Sequence, residues 1–154
     1  MDLGAILEPL SVAIHAARRS QVAPKSTTMV FGAGEMGLLC AAMAKASGSN
    51  HVTIASMDKR RVDFATQNKF AHAGFLIPIN RGQTIEEKLQ IAKVTAALAA
   101  QVQGSQGHPV GQVDVVFECT GGELCLQAGI YVRSQFPRHK QAADNSRLLD
   151  RAGE

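Results

Sequence analysis

Aromatic residues are scarce in this sequence, where they make up 5% of the 154 residues with no tryptophan and one tyrosine. The apolar fraction is nevertheless 45%, so alanine and the aliphatic side chains must do most of the packing. A chain of this length can bury roughly two-thirds of the surface that its unfolded form exposes. We therefore expect one domain around one core, in a layered α/β architecture.

Cysteines are also few, and Cys40, Cys119 and Cys125 form no C-x-x-C pair. Two of the three lie in strongly apolar stretches, which indicates buried reduced thiols rather than a disulfide framework. No basic-then-apolar signal pattern opens the chain, and no apolar run is long enough to span a bilayer. We expect a soluble, cytoplasmic protein without a membrane partner.

No long run of one charge is present, because the net charge of +3 comes from scattered lysines and arginines. The cations are densest at Lys59-Arg60-Arg61 and near the C-terminus, without a continuous basic stripe. The composition therefore gives no reason to expect a nucleic-acid partner.

Short β-rich runs alternate with alanine-rich helical runs along most of the chain. Such alternation is typical of parallel strands, so we predict an α/β fold with a Rossmann-type, doubly wound parallel sheet shortened to about four strands. We expect a leading segment and helix over 1–25, a dinucleotide-binding domain over 26–133 and a divergent, disordered polar tail over 134–154. The predicted strands cover 26–31, 51–55, 74–79 and 113–119, and the predicted helices cover 7–19, 38–47, 60–70, 84–102 and 123–132.

A G-x-G-x-x-G motif follows the first predicted strand directly and precedes a helix. In a Rossmann fold the first glycine permits the tight turn, the second lets the backbone approach a pyrophosphate, and the third lets helix and strand pack closely. The N-terminus of the helix then offers free N–H groups to the phosphates. A bare motif of this kind also fits an ordinary flexible turn, but its position favours nucleotide binding. The candidate cofactor-binding residues here are Gly32, Gly34, Glu35, Met36 and Gly37.

The end of the second predicted strand lacks the acid that binds the adenosine ribose of NAD in many Rossmann domains. Ser56 stands at that spacing, 19 residues after Gly37. Asp58 is either a late ribose ligand or a helix cap. Because Ser56 is neutral and cations follow it, we predict NADP, or else NAD, as the cofactor, with Ser56, Lys59 and Arg61 beside the ribose. A solvated, cationic helix face is the alternative interpretation of these residues.

Three segments together resemble one known family. They are the run Leu-Glu-Pro-Leu-Ser-Val-Ala-Ile-His-Ala at 7–16, the glycine motif at 32–37, and Phe-Glu-Cys-Thr-Gly-Gly at 117–122. Over residues 4–131 the chain is similar to the zinc-dependent medium-chain dehydrogenases, and within them to the sorbitol and xylitol dehydrogenases. The resemblance implies the cofactor-binding part of an enzyme that moves hydride between a secondary alcohol of a polyol and a nicotinamide.

The resemblance also implies roles for residues outside the glycine motif. It puts Cys119, Thr120 and Gly121 beside the nicotinamide ribose, and it puts Glu8 beside the zinc of the full-length family. The other zinc ligands of the family belong to a domain that precedes this segment. We therefore expect this chain alone to hold no zinc and to oxidise no polyol. The family dimer pairs later strands of the sheet, in place of which the divergent tail stands here, so we also expect that dimer not to form.

Two other classes of protein remain alternatives to an enzyme of this family. One is a non-catalytic nucleotide-binding or interaction module that has kept the fold without the chemistry. The other is a methyltransferase, which would need an acid just before the glycine motif. Val30 and Phe31 stand there instead, which makes the methyltransferase the weaker alternative.

Overall fold

The computed structural model describes residues 4–80, 82–105 and 107–134. The predicted tail over 134–154 lies outside the described residues except for Ser134. Within the described ranges no helix is long and apolar enough to cross a membrane. The elements are α1 Gly4–Arg19, β1 Thr27–Phe31, α2 Glu35–Ala46, β2 His51–Ser56, α3 Lys59–Gln67, β3 Ala73–Leu76, α4 Ile85–Ala100, β4 Val115–Glu118 and α5 Glu123–Ser134.

The four strands form one parallel sheet in the order β3-β2-β1-β4, which confirms the predicted fold class. Phe31, the last residue of β1, pairs with Ala55 on one side and with Glu118 on the other. The carboxyl ends of β2, β1 and β4 therefore lie next to one another at one edge of the sheet. Strands β1 and β2 are buried over nearly their whole length, as expected for a parallel sheet covered on both faces.

Side chains of β1 point alternately to the two faces of the sheet, and each face carries its own core. Val30 joins a cluster with α1, α2 and α3, whereas Met29 and Phe31 join a cluster with α4 and α5. Alanine supplies most of the helical residues in both clusters, which lets the helices lie close to the sheet. Close approach of the helices to the sheet thus fills the core without large aromatic side chains.

Several helix and strand ends differ from the sequence prediction. Helix α2 begins at Glu35 instead of residue 38, because the glycine motif itself forms the first helical turn. Strand β3 ends at Leu76 instead of residue 79, shortly before Pro78, which has no N–H group to donate. Helix α4 begins where the sequence indicates, since Thr84 and Glu87 form a capping box.

The first turn of α2 lies directly against the turn that follows β1. A Cβ atom built on Gly37 would lie 1.8 Å from the carbonyl oxygen of Gly32, far inside van der Waals contact. Gly32 has φ of +105°, a left-handed conformation that glycine adopts at little cost. These two glycines therefore allow α2 to begin immediately after β1.

A buried histidine joins the amino end of β2 to the loop before β4. His51 is 4% exposed, and its Nδ1 accepts the backbone N–H of Ser105 at 3.1 Å. Its Nε2 therefore carries the proton of the neutral ring and faces Thr53 Oγ1 at 3.0 Å. The ring of His72 stacks on His51 with centroids 5.5 Å apart. Burial, together with the charge of His72, lowers the pKa of His51 to about 4.

We expect the free energy of unfolding to fall as the pH drops from about 6.5 towards 4. The pKa of His51 is lower in the folded chain than its ordinary value of 6.5, so the unfolded chain binds more protons in this range. Above pH 6.5 the contribution of His51 to the free energy of unfolding is present in full, and by pH 4 roughly 3 kcal/mol of it at most is lost. Urea unfolding at a series of pH values measures this. His51→Gln should reduce the dependence and leave the part due to His72, whose pKa is also lowered by burial, and His15→Gln on the exposed side of α1 should keep it in full; equal slopes in His51→Gln and the parent would contradict the prediction.

We expect Gly37→Ala to destabilise the fold by about 3 kcal/mol, because its methyl group must displace the backbone of Gly32. Gly34→Ala is the matched control, since a Cβ there meets only Arg61 Nη1, at 3.8 Å. The control should change the stability by less than about 1 kcal/mol. Chemical denaturation measures both variants, and equal stabilities would show that the close contact does not constrain the fold.

Candidate dinucleotide-binding site

The glycine turn presents an open helix N-terminus at the carboxyl edge of the sheet. Gly34 is the N-cap residue of α2, with extended backbone angles of φ −86° and ψ −171°, and no side chain caps the helix. The space around its missing Cβ contains only the Arg61 guanidinium within 4 Å. The site therefore combines free backbone donors, the positive end of a helix dipole and an adjacent cation.

The other two residues of the motif face different surroundings. The Glu35 side chain is exposed and lies in the first turn of α2. The Met36 side chain is half-buried and packs against the cluster formed with α1, α2 and α3. Of the two, Glu35 is the one whose side chain lies at the surface of the turn.

Beyond β2, Asp58 caps α3 and does not lie free at the strand end. Its carboxylate accepts the backbone N–H of Arg60 at 2.9 Å, and its own N–H donates to Ser56 Oγ at 3.2 Å. The Arg60 N–H holds the pKa of Asp58 below its usual value. Of the two interpretations of Asp58, the structure thus supports the cap.

The cations after β2 are held differently from one another. The Asp58 carboxylate lies 3.5 Å from Arg60 Nη2 and 3.8 Å from Arg61 Nε. Arg61 Nη1 reaches the open space at Gly34, so this side chain connects the end of β2 with the glycine turn. Lys59 instead pairs with Asp63 at 2.6 Å, one helical turn further along α3.

The chain after β4 forms the opposite wall of the turn. A Cβ on Gly32 would lie 3.1 Å from the carbonyl carbon and oxygen of Cys119 and 3.1 Å from Thr120 Cγ2. The backbone N–H of Cys119 also donates to Phe31 O at 2.8 Å. The structure thus brings Cys119 and Thr120 against the glycine turn, with Gly121 next in the chain.

Glu118 is the residue at this edge that the sequence prediction did not include. Its carboxylate accepts the backbone N–H of Thr120 at 2.8 Å, the N–H of Gly121 at 3.0 Å and the hydroxyl group of Thr120. The available signal was an acid two residues before a Thr-Gly pair at a strand end. Such spacing lets a side chain accept nearby backbone N–H groups.

Cys119 has the environment of an inert thiol. It is half-buried, and all three cysteines are free. A hydrogen bond with Cys40, burial and the charge of Glu118 together raise its pKa well above the usual value. A thiol with so high a pKa is a weak nucleophile, so Cys119 contributes to this wall as a small apolar side chain.

Glu8 lies on the exposed side of α1, where its carbonyl oxygen accepts the hydroxyl group of Ser11 at 2.7 Å. No group of three or more His, Cys, Asp or Glu side chains that could hold a metal ion occurs in the part of the chain that the structure describes. A catalytic zinc site takes about three protein ligands, so the described residues alone do not fit zinc.

A cavity of about 250 Å³ lies near the same edge, between the segment after β3 and the first turns of α4 and α5. Asn80, Lys88, Glu123 and Gln127 contribute its polar lining, and Ile91 and Leu124 its apolar lining. None of the site residues predicted from the sequence lines this cavity.

Comparison with known proteins gives relatives of one kind, although no family model matches the chain. The chain is 37% identical over 135 residues to a probable D-xylulose reductase A of Arthroderma otae, which covers 86% of this chain and 33% of the relative. It is 36% identical over 129 residues to D-xylulose reductase A of Aspergillus niger, with 84% and 32% covered. The chain thus spans about a third of the length of these relatives.

Solved structures share the fold. A putative zinc-binding dehydrogenase of Clostridium scindens matches with a TM-score of 0.61 and 22% identity, covering 83% of this chain and 31% of that one. A putative zinc-binding dehydrogenase of Sinorhizobium meliloti, bound to NADP, matches with a TM-score of 0.56 and 23% identity, covering 77% and 30%. Over most of its length the chain is thus similar in sequence to D-xylulose reductases, and it shares its fold with part of two putative zinc-binding dehydrogenases.

Proposed function

We propose that the carboxyl edge of the sheet binds a nicotinamide dinucleotide, as the cofactor-binding part of a polyol dehydrogenase. The observation that carries the proposal is the uncapped N-terminus of α2 at Gly34, with open space above the backbone and Arg61 beside it. A pyrophosphate fits there, because backbone N–H groups, the helix dipole and a guanidinium all favour an anion. The domain boundaries at 26 and 133 are part of this proposal.

The order of the strands offers a place for each half of the proposed dinucleotide. Strand β1 lies between β2 and β4, so a pyrophosphate at the end of β1 leaves one nucleoside over β2 and the other over β4. We place the adenosine half over β2, where the family fingerprint has its ribose ligand, and the nicotinamide half over β4. The proposed contacts are Gly32, Gly34, Glu35, Met36 and Gly37 with the pyrophosphate, Ser56, Lys59 and Arg61 with the adenosine ribose, and Cys119, Thr120 and Gly121 with the nicotinamide ribose.

In the proposed reaction a bound nicotinamide would take a hydride from C–H of a secondary alcohol, whose O–H proton leaves as the ketone forms, and the reverse reaction would return both. Names of the relatives specify D-xylulose, so the proposed substrates are a polyol and its ketose. This chain's residues would bind and orient the cofactor, which is the protein's main share of such chemistry. No step through zinc is assigned to them, because Glu8 has no ligand partners among the described residues.

We further propose that the cofactor is NADP in preference to NAD. Ser56 brings no negative charge to the end of β2, so a 2′-phosphate meets no repulsion there. Arg61 lies between Asp58 and the turn, within reach of a phosphate group on the ribose side. Lys59 remains a candidate, with a smaller expected contribution because Asp63 already pairs with it.

Gly34→Val should lower the affinity for NADPH by more than about tenfold, because the added side chain occupies the space that the pyrophosphate needs. Fluorescence titration of NADPH measures the affinity, and circular dichroism checks that the variant is folded. Gly4→Val is the control, since no atom of the described residues lies within 4 Å of a Cβ at that position in α1. A folded Gly34→Val that binds NADPH as tightly as the parent would show that the pyrophosphate lies elsewhere.

Arg61→Ala should lower the affinity for NADPH by about tenfold more than that for NADH, because both cofactors lose the cation beside the pyrophosphate but only NADPH also loses a guanidinium pair with the 2′-phosphate. Ser56→Asp should shift the preference towards NADH through repulsion of the 2′-phosphate. Arg60→Ala is the control, because this neighbouring arginine is 92% exposed at its side chain. Dissociation constants are measured at one ionic strength. The NADP proposal fails if the parent binds NADH more tightly, or if Ser56→Asp leaves the ratio unchanged.

A further inference from the structure

In the segment 119–122, here called the β4 loop, Thr120 and Gly121 are bonded to one carboxylate. Glu118 accepts two backbone N–H groups and one hydroxyl group from Thr120 and Gly121. The Thr120 hydroxyl oxygen in turn accepts the backbone N–H of Gly122 at 2.9 Å. Every one of these bonds depends directly or indirectly on the position of the Glu118 side chain.

The β4 loop is also one wall of the proposed cofactor site. Its first residues lie 3.1 Å from the Cβ position of Gly32, at the end of β1. Because Glu118 pairs with Phe31 across the sheet, its carboxylate lies close to where the pyrophosphate would end and the second nucleoside begin.

Glu118 changes what the β4 loop can offer to a ligand. The N–H groups of Thr120 and Gly121 are already used, so they do not serve as donors to a phosphate. The loop can present its carbonyl oxygens and apolar surface, next to a negative charge. These features suit uncharged groups that donate hydrogen bonds, such as ribose hydroxyls and a carboxamide, and they disfavour phosphate.

We propose that Glu118 is a positioning residue that shapes the β4 loop for the nicotinamide riboside half of the dinucleotide. This inference rests on the proposed cofactor binding. Glu118 acts through Thr120 and Gly121, and the adenosine and pyrophosphate contacts do not depend on it. A carboxylate that only stabilised the fold would affect both halves of the cofactor equally.

The test compares NADPH with ADP, which carries adenosine and pyrophosphate but no nicotinamide riboside. Glu118→Gln should lower the affinity for NADPH by about tenfold, because an amide cannot accept all three bonds, and should not lower that for ADP, because the loss of a negative charge near the pyrophosphate does not weaken phosphate binding. Glu123→Gln is the matched control, since this exposed carboxylate lies five residues further on and pairs with Lys88 at 3.5 Å. The control should bind both ligands like the parent.

A second variant and a second measurement keep the test decisive if Glu118→Gln does not fold. Glu118→Asp keeps the charge and shortens the side chain, so it should give an intermediate NADPH affinity with unchanged ADP affinity. Amide exchange at Thr120 and Gly121 should be faster in either variant than in the parent.

The possible contrary results are distinct. A parent that binds neither NADPH nor ADP overturns the proposed function itself. A parent that binds both, with folded Glu118 variants that keep its NADPH affinity or lose both affinities together, overturns only the role of Glu118.

Discussion

The contact between the first turn of α2 and the carbonyl oxygen of Gly32 is the constraint on which the site depends. A Cβ atom on Gly37 would lie 1.8 Å from the carbonyl oxygen of Gly32, and the absence of a side chain there lets α2 start directly after β1. Its N-terminus is thereby fixed at the middle of the carboxyl edge, between the ends of β2 and β4. The free N–H groups and the open backbone at Gly34 follow from this position, and the proposed pyrophosphate site follows from both.

The two sides of this edge differ in charge. On the β2 side the Asp58 carboxylate both caps α3 and contacts Arg61 beside the glycine turn. The position of this cation is therefore linked to the first turn of α3. On the β4 side Glu118 binds the neighbouring N–H groups and contributes a negative charge. A ligand with phosphate groups at one end and uncharged donors at the other matches this difference, and in the proposed orientation the dinucleotide has that distribution.

The sequence predicted the repeating features of the fold because they depend on local patterns. Apolar runs and the spacing around Gly37 gave the parallel sheet and the turn. Features that depend on tertiary geometry were not predicted. Glu118 accepts hydrogen bonds from a loop whose path no sequence periodicity indicates, and His51 bonds to Ser105, which is 54 positions away in the chain. From the sequence, Ser56, Lys59 and Arg61 are all predicted beside the adenosine ribose, and only the structure separates Arg61 from Lys59 by their partners.

The most direct test of this account is a titration of the isotopically labelled chain with NADPH, followed by amide chemical shifts in NMR spectra. If the pyrophosphate lies at the N-terminus of α2, the largest shifts fall on residues 32–37, with smaller ones at Ser56, Arg61 and Thr120, and the opposite end of the sheet at His51 is unaffected. Shifts that cluster at that opposite end, or no shifts with NADPH at about 1 mM, where even weak binding is detected, would show that the carboxyl edge is not the cofactor site.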